Sequence, residues 1–103
     1  MDWLRSGPLC VPRKVVVWGA GRTGKRWIRR FLADGHDLRA VIDIQCRTER
    51  QGVPVFAPDR LPSIDFDVLF VAVGARGARQ KIRAALQTLC PGLVEGDDWW
   101  ALA

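Results

Sequence analysis

Three glycines at fixed spacing form the motif in this sequence that is most informative about chemistry. Residues 19–24 read Gly-Ala-Gly-Arg-Thr-Gly, a complete G-x-G-x-x-G pattern. In such a turn the first glycine allows a sharp change of direction, the second leaves room beside the backbone, and the third lets the next helix pack closely. The free N–H groups at the start of that helix, together with the helix dipole, favour an anion such as a phosphate group.

The residues around the turn strengthen the prediction of a binding site, because the glycine pattern alone is a weak signal. A nearly continuous apolar run, Lys14 to Trp18, precedes the turn and predicts a buried strand. An amphipathic segment, Arg22 to Asp34, follows the turn and predicts a helix, whose apolar stripe is formed by Trp27, Ile28, Phe31 and Leu32. An acid, Asp43, ends the next predicted strand 19 residues after Gly24. This order of elements is typical of a dinucleotide-binding unit.

The chemistry of these residues predicts how they would contact a ligand. The turn and the helix start would hold phosphate groups, Arg22 would add a charge-assisted contact, and Asp43 would accept hydrogen bonds from a ribose diol. The alternative is a tight strand–helix turn that binds nothing. The predicted binding residues at this stage are Gly19, Ala20, Gly21, Arg22, Thr23, Gly24 and Asp43.

Other chemistries need residues that this sequence lacks at the necessary positions. Arg26 stands where the phosphate loop of an NTPase needs a Ser or Thr to hold Mg²⁺. The sequence has no tyrosine, which excludes a short-chain dehydrogenase, and its one histidine, His36, falls in a predicted turn where a solvated side chain is expected. No Ser-His-Asp set, nucleophile elbow or carboxylate cluster is found. The sequence therefore predicts neither a complete catalytic constellation nor a metal site.

Composition and charge limit the class of protein. The chain has 103 residues, of which 49% are hydrophobic and 26% are charged, as in one globular domain. No apolar run approaches the ~18–20 residues of a membrane span, and the start lacks a secretory pattern, so a cytoplasmic location is expected. The three cysteines have an odd count and no metal-ligand spacing, which predicts reduced thiols. The formal charge of +5 is compatible with an anionic ligand or with a nucleic acid, and it does not distinguish between these two kinds of partner.

The elements that must position the turn alternate between strands and helices. Residues 1–13 are predicted to be an irregular arm, and residues 14–103 a single domain. The other predicted elements are strands at Leu38–Ile44, Pro54–Phe56, Asp67–Val73 and Asp98–Leu102, a polar connection at Gln45–Gly52, and a second amphipathic helix at Arg76–Leu89. The alternation implies right-handed βαβ units. We predict an α/β fold with a small doubly wound, mostly parallel sheet of order 3-2-1-4-5 and flanking helices.

Two surface features bear on partners. The basic residues of both helices are interpreted as solvated faces, and nucleic acid is not expected because Trp27 and Phe31 fall on the buried stripe of the first helix. Trp99 and Trp100 are adjacent in the last predicted strand and must face opposite sides, so one is expected to stay exposed. An exposed apolar patch predicts a weak homodimer through the C-terminal strand.

The order of these features resembles a known group of domains. The segments VWGAGRTGKRW, VIDIQ, GVPVFAPDRLP and DVLFVAVGARGAR look like the small Rossmann-type nucleotide-binding domain of bacterial glycan enzymes. Similar domains precede the catalytic part of sugar O-acyltransferases and of membrane-linked nucleotide-sugar dehydratases, and look like modules appended to family 2 glycosyltransferases. The resemblance covers about Arg13 to Ala103. It implies nucleotide contacts at the glycine turn and Asp43, with Gly74, which ends the fourth predicted strand, bordering the same crevice.

The function that this resemblance implies is binding without catalysis, because the chain matches only the nucleotide-binding part of those enzymes. We expect a non-catalytic nucleotide- or dinucleotide-binding domain in bacterial glycan synthesis, with NAD or a nucleotide-sugar as its ligand. Asp43 should repel a 2′-phosphate, which Arg47 would partly offset, so NADP is not favoured. The alternatives are a fragment of an NAD(P)-dependent oxidoreductase and a degenerate Rossmann domain that acts as a protein-interaction module.

Overall fold

The computed structural model describes residues 13–19, 21–44, 49–74 and 77–102, without the side chain of Arg50. Within these residues six strands form one sheet, accompanied by two α-helices and a short 3-10 helix. In chain order the elements are β1 (Lys14–Trp18), α1 (Arg22–Ala33), β2 (Asp37–Ile42), β3 (Glu49–Arg50), β4 (Val53–Phe56), the 3-10 helix (Pro58–Ser63), β5 (Val68–Val71), α2 (Ala78–Leu89) and β6 (Trp99–Ala101). Nearly all of the predicted irregular arm lies outside the described residues.

The sheet has the order β3-β4-β2-β1-β5-β6. The five strands from β4 to β6 are parallel and have the predicted 3-2-1-4-5 order, which confirms the doubly wound α/β fold. The additional strand is β3, which pairs antiparallel with β4 and covers the edge that the predicted order assigns to the Pro54–Phe56 strand. The predicted polar connection thus contains a strand, which sequence pattern missed because two residues show no periodicity.

The core has one layer on each face of the sheet. Because side chains of a strand alternate between faces, Val15 and Val17 of β1 enter the layer under α1, whereas Val16 and Trp18 enter the layer under α2 and the 3-10 helix. In the α1 layer, the rings of Phe31 and Phe70 stack with their centroids 5.1 Å apart. The four residues of β5, the most apolar predicted strand, are all buried between β1 and β6.

The end of α1 corrects two expectations. The N–H groups of Gly35 and His36 donate to the carbonyl groups of Leu32 and Phe31, at 3.1 and 3.0 Å, which is the Schellman arrangement. This turn brings the imidazole of His36 edge-on against Phe31, with the ring centroids 5.9 Å apart, so His36 is half-buried and not solvated. Leu32, predicted on the apolar stripe, is 41% exposed because the buried stripe is centred on Ile28 and Phe31.

The tryptophans of β6 face opposite sides of the sheet, and neither is fully exposed. Trp99 is 3% exposed in the α2 layer, and Trp100 is half-buried against the α1 layer, so the expectation of one exposed tryptophan is wrong. The outer edge of β6 is partly engaged, because Gly96 N–H donates to the Trp99 carbonyl at 2.8 Å. Arg83 ties α2 to the same turn by two 3.0 Å hydrogen bonds to Glu95.

Two further expectations concern membranes and thiols. Among the described residues, no helix has the length and apolar character needed to cross a membrane. Cys90 is free and half-buried, and burial raises the pKa of its thiol, as expected for a reduced structural cysteine. Cys10 and Cys46 lie outside the described residues.

Replacing Gly24 by alanine should destabilise the fold. A Cβ at Gly24 would lie 1.8 Å from the carbonyl oxygen of Gly19, so helix and turn would have to separate. Overpacking of this kind costs about 1–3 kcal/mol. A Cβ at Gly21 would meet nothing within 4 Å, so Gly21→Ala is the control. Urea titration should give a clearly lower free energy of unfolding for Gly24→Ala and a nearly unchanged one for Gly21→Ala. Equal free energies of unfolding for the two variants would contradict this packing role.

Acid should weaken two ion pairs that join distant parts of the chain. The hydrogen bond from Lys14, then its charge, lowers the pKa of Asp65, and the hydrogen bond from Arg83 lowers that of Glu95. These pKa values are lower in the folded chain than in the unfolded chain. The pairs therefore stabilise the fold at pH values above the ordinary pKa of a carboxyl group, and this stabilisation is lost as the pH falls through the lowered pKa values. The effect is small, since both carboxylates are exposed.

We therefore expect the urea concentration at the unfolding midpoint to decrease as the pH is lowered from about 6 to about 3. The decrease should be smaller in a double variant with Asp65→Asn and Glu95→Gln. An equal fall in the wild type and in the double variant would show that other groups dominate acid unfolding.

Candidate functional site

A cavity of about 700 Å³ opens at the carboxyl ends of β1, β2 and β5. The topology explains its position, because β1 lies between β2 and β5, and the chain leaves β1 towards one face of the sheet and β5 towards the other. At such a switch point the two connections separate and leave a crevice between them. The walls of the cavity come from the glycine turn, the end of β2, the first residue of the 3-10 helix, the end of β5 and the first two turns of α2.

The glycine turn is held tightly between the strands on either side of β1. Gly19 has φ +130°, a backbone conformation that residues with a Cβ rarely adopt. Its N–H donates to the carbonyl of Ile42 at 2.7 Å, and a Cβ there would lie 2.6 Å from the carbonyl oxygen of Ala72. The chain therefore turns off β1 at a point where β2 accepts a hydrogen bond and the end of β5 leaves no space for a side chain.

The start of α1 faces the cavity with unsatisfied backbone donors. The first intrahelical hydrogen bond of α1 runs from Lys25 N–H to the carbonyl of Gly21, at 2.8 Å. The N–H groups of Arg22, Thr23 and Gly24 precede that bond and have no acceptor within the helix. Gly21 provides no side-chain cap, and the first turn of α1 contains no acid. This wall of the cavity is therefore positively polarised and suits an anion.

The end of β2 combines an acid with an exposed apolar side chain. Asp43 follows the strand directly, and its N–H donates to the carbonyl of Phe56 at 3.0 Å, which fixes the backbone beside the cavity. Asp43 is half-buried and lines the cavity. Ile44, the next residue, is 84% exposed and also lines the cavity. A hydrogen-bond acceptor and an apolar surface thus lie side by side.

The opposite wall comes from the end of β5 and from α2. Gly74 lies against the start of α1, because a Cβ there would be 3.2 Å from Thr23 Oγ1. From α2 the lining residues are Ala78, Lys81, Ile82 and Ala85, which are spaced three and four apart on one helix face. The first turn of α2 also lacks an acid and a side-chain cap.

The structure brings the predicted site residues together. Seven of the eight line this single cavity, namely Gly19, Gly21, Arg22, Thr23, Gly24, Asp43 and Gly74. Ala20 lies outside the described residues. The turn is therefore part of a crevice large enough for a small molecule. Whether these residues bind a ligand stays a prediction.

Sequence inspection missed the wall on the α2 side. Lys81 was grouped with a solvated basic face, yet it lines the cavity along with Arg22, and these two are the cationic side chains among the described lining residues. Its spacing from Ala78 and Ala85 could have revealed this, because all three fall on the helix face that follows β5. Trp18 and Pro58 also line the cavity. Trp18 directly precedes the glycine turn, whereas nothing in the local sequence of Pro58 signals its position.

The site has no constellation for metal binding in the part of the chain that is described. No group of three or more His, Cys, Asp and Glu side chains comes together there. Its described charged side chains are Arg22, Lys81 and Asp43, a balance that suits an anionic ligand with hydroxyl groups.

Comparison with known proteins places the fold. No protein-family model and no curated protein matches the sequence. Similar crystal structures include those of RSP, a Rex-family repressor (TM-score 0.70, 16% identity), and of RSP in complex with β-NADH (TM-score 0.63, 18% identity). They match 93% and 89% of this chain, but only 47% and 46% of their own chains, so this chain spans about half their length. The fold is Rossmann-like. At this identity the likeness establishes the architecture and nothing finer.

Proposed function

We propose that this chain is a dinucleotide-binding module whose ligand is NAD(H), and that it binds this ligand without transforming it. The observation that carries the proposal is the convergence of the glycine turn, Asp43, Gly74 and an apolar wall on one cavity. Support comes from the similar fold of RSP, which has been crystallised with β-NADH.

The diphosphate of the ligand would lie at the start of α1. Gly21 is exposed there and has nothing within 4 Å on its Cβ side, which leaves the space that a phosphate group needs. The N–H groups of the first turn would donate to phosphate oxygens, and the Arg22 guanidinium would add a charge-assisted hydrogen bond. Thr23 Oγ1, beside Gly74, provides a further hydrogen-bonding group.

A ribose and its base would occupy the cavity between β2 and α2. The Asp43 carboxylate would accept hydrogen bonds from the two ribose hydroxyl groups. The base would lie against the apolar side chains of Ile44, Pro58 and Ala78. Covering the exposed face of Ile44 would remove apolar surface from water, which favours binding.

Binding without catalysis fits the side chains that surround this cavity. Among the described lining residues there is no His, Tyr or Cys, and each charged side chain has a binding role in the proposal. The NAD(P)-dependent oxidoreductase fragment and the protein-interaction module remain as the alternatives. Reduction of a carbonyl compound by the chain with NADH would support the first, and failure of every nucleotide to bind would support the second.

Three further expectations stay predictions. The comparisons give no support to the resemblance to glycan-enzyme domains, or to a nucleotide-sugar ligand. Self-association through β6 also stays a prediction. Trp100 and Leu102 remain half-buried at that edge of the sheet, but the turn at Glu95 and Gly96 already occupies part of the strand's outer edge.

The decisive experiment is calorimetric titration of the chain with NADH, comparing Gly21→Val with Gly92→Val. The valine at position 21 would occupy the space assigned to phosphate, so we expect NADH binding to weaken at least about tenfold, which is ~1.4 kcal/mol. Gly92 likewise has nothing within 4 Å on its Cβ side, and it lies away from the cavity, so Gly92→Val should bind as the wild type does. Equal binding by both variants would place the site elsewhere.

Asp43 should make the chain prefer NADH over NADPH. A 2′-phosphate would bring negative charge next to this carboxylate, so we expect NADPH to bind at least about tenfold more weakly. Asp43→Ser removes the repulsion and should reduce the difference in affinity between NADH and NADPH. Asp97 is an exposed acid outside the cavity, so Asp97→Ser should leave that difference unchanged. Tighter binding of NADPH by the wild type would overturn this assignment.

A further inference from the structure

We propose that Lys81 of α2 reads the base of the bound dinucleotide, and that it favours a purine with a carbonyl oxygen at position 6 over adenine, which carries an amino group there. This inference rests on the proposed function and makes it more specific. The phosphate and ribose contacts proposed above come from the α1 start and from Asp43, whereas Lys81 stands on the opposite wall of the same cavity.

Lys81 lies on the helix face that borders the base site. It is three residues after Ala78, against which the base would lie, and Ile82 and Ala85 of the same helix also line the cavity. The Cβ atoms of residues three apart on a helix are about 5–6 Å from each other. The stem of the Lys81 side chain therefore begins next to the surface that would cover the base.

The direction of the helix brings the Lys81 ammonium towards the opening of the cavity. Side chains of an α-helix are tilted towards its N-terminus. α2 begins at Ala78, beyond the carboxyl end of β5, and the cavity opens at this end of the strands. Lys81 is exposed, so its stem can follow the apolar wall while its charged end stays at the opening.

The ammonium group is available to a ligand. α2 contains no acidic residue, so Lys81 forms no ion pair with a neighbour one turn away on its own helix. Among the described residues no acid pairs with it, whereas Arg83 of the same helix donates two hydrogen bonds to Glu95. Lys81 is thus a cation that borders a cavity and has no competing acidic partner in the described part of the chain.

The chemistry of an ammonium group selects among bases. It donates hydrogen bonds and cannot accept one. Because Asp43 would hold the ribose at the end of β2, the part of a purine farthest from the sugar, which includes position 6, would extend towards α2. Adenine presents an amino donor at position 6, whereas a 6-oxopurine presents O6 next to N7, a pair of acceptors that lysine commonly contacts. The α2 wall therefore suits a 6-oxopurine better than adenine.

The test is calorimetric titration of the whole chain with NADH and with its hypoxanthine analogue, in which a carbonyl oxygen replaces the amino group at position 6. We expect the wild type to bind the analogue at least about fivefold more tightly than NADH. Affinities within about twofold of each other, or tighter binding of NADH, would overturn the inference and leave the proposed function standing. Failure of both compounds to bind would overturn both.

A matched pair of variants tests the assignment to Lys81. A glutamine amide both donates and accepts, and it pairs well with the edge of adenine, so Lys81→Gln should remove or reverse the preference for the analogue. Glutamine and lysine have similar helix propensities, so α2 should be retained. Arg79 is an exposed cation of α2 outside the cavity, and Arg79→Gln, with the same loss of charge, should keep the wild-type preference.

The two other outcomes for Lys81→Gln would refute the proposal. An equal loss of affinity for both compounds would assign the Lys81 ammonium to the diphosphate, which the two ligands share. Unchanged affinities for both compounds would show that Lys81 does not contact the ligand.

Discussion

The contact between Gly24 and Gly19 is the constraint on which the rest of the structure depends. The helix comes so close to the turn that a single Cβ at Gly24 would overlap the Gly19 carbonyl, at 1.8 Å. This approach fixes the start of α1 above the end of β1 and directs the first N–H groups of α1 into the crevice. The turn itself is held by Ile42 on one side and Ala72 on the other, so the same few backbone atoms align β1, β2 and β5.

Charge is distributed so that the two ends of the strands differ. The described ion pairs of Lys14 with Asp65 and of Arg39 with Asp37 lie at the amino ends of the strands, where Lys14 begins β1 and Asp37 begins β2. At the carboxyl ends, both helix starts lack acids, and Asp43 is the one described acid that lines the cavity. Carboxylates at the amino ends stabilise the fold, and the acid-poor carboxyl ends favour an anion.

The sequence predicts those features of the fold that depend on local pattern. The bounds of β1, the parallel strand order and the predicted turn residues follow from apolar runs and glycine spacing. The short strand β3 and the half-buried His36 do not, because each depends on contacts that form only in the folded chain. His36 is placed by the hydrogen bonds that end α1, and Glu49 pairs with Pro54 across a turn. Lys81 was missed for a related reason: an exposed cation on a helix looks solvated until the neighbouring strands show which face borders a cavity.

The register of β1 links the core to the site. Because side chains alternate along β1, Val17 points to the α1 layer and Trp18 to the α2 layer. With Gly19 turning immediately afterwards, the indole of Trp18 is the last side chain of β1 and forms part of the cavity wall below α2. A shift of one residue would direct the indole under the start of α1, where Gly24 already lies against the turn with no space for a Cβ. The register that buries three valines is thus the register that gives the cavity one apolar wall and one polar wall.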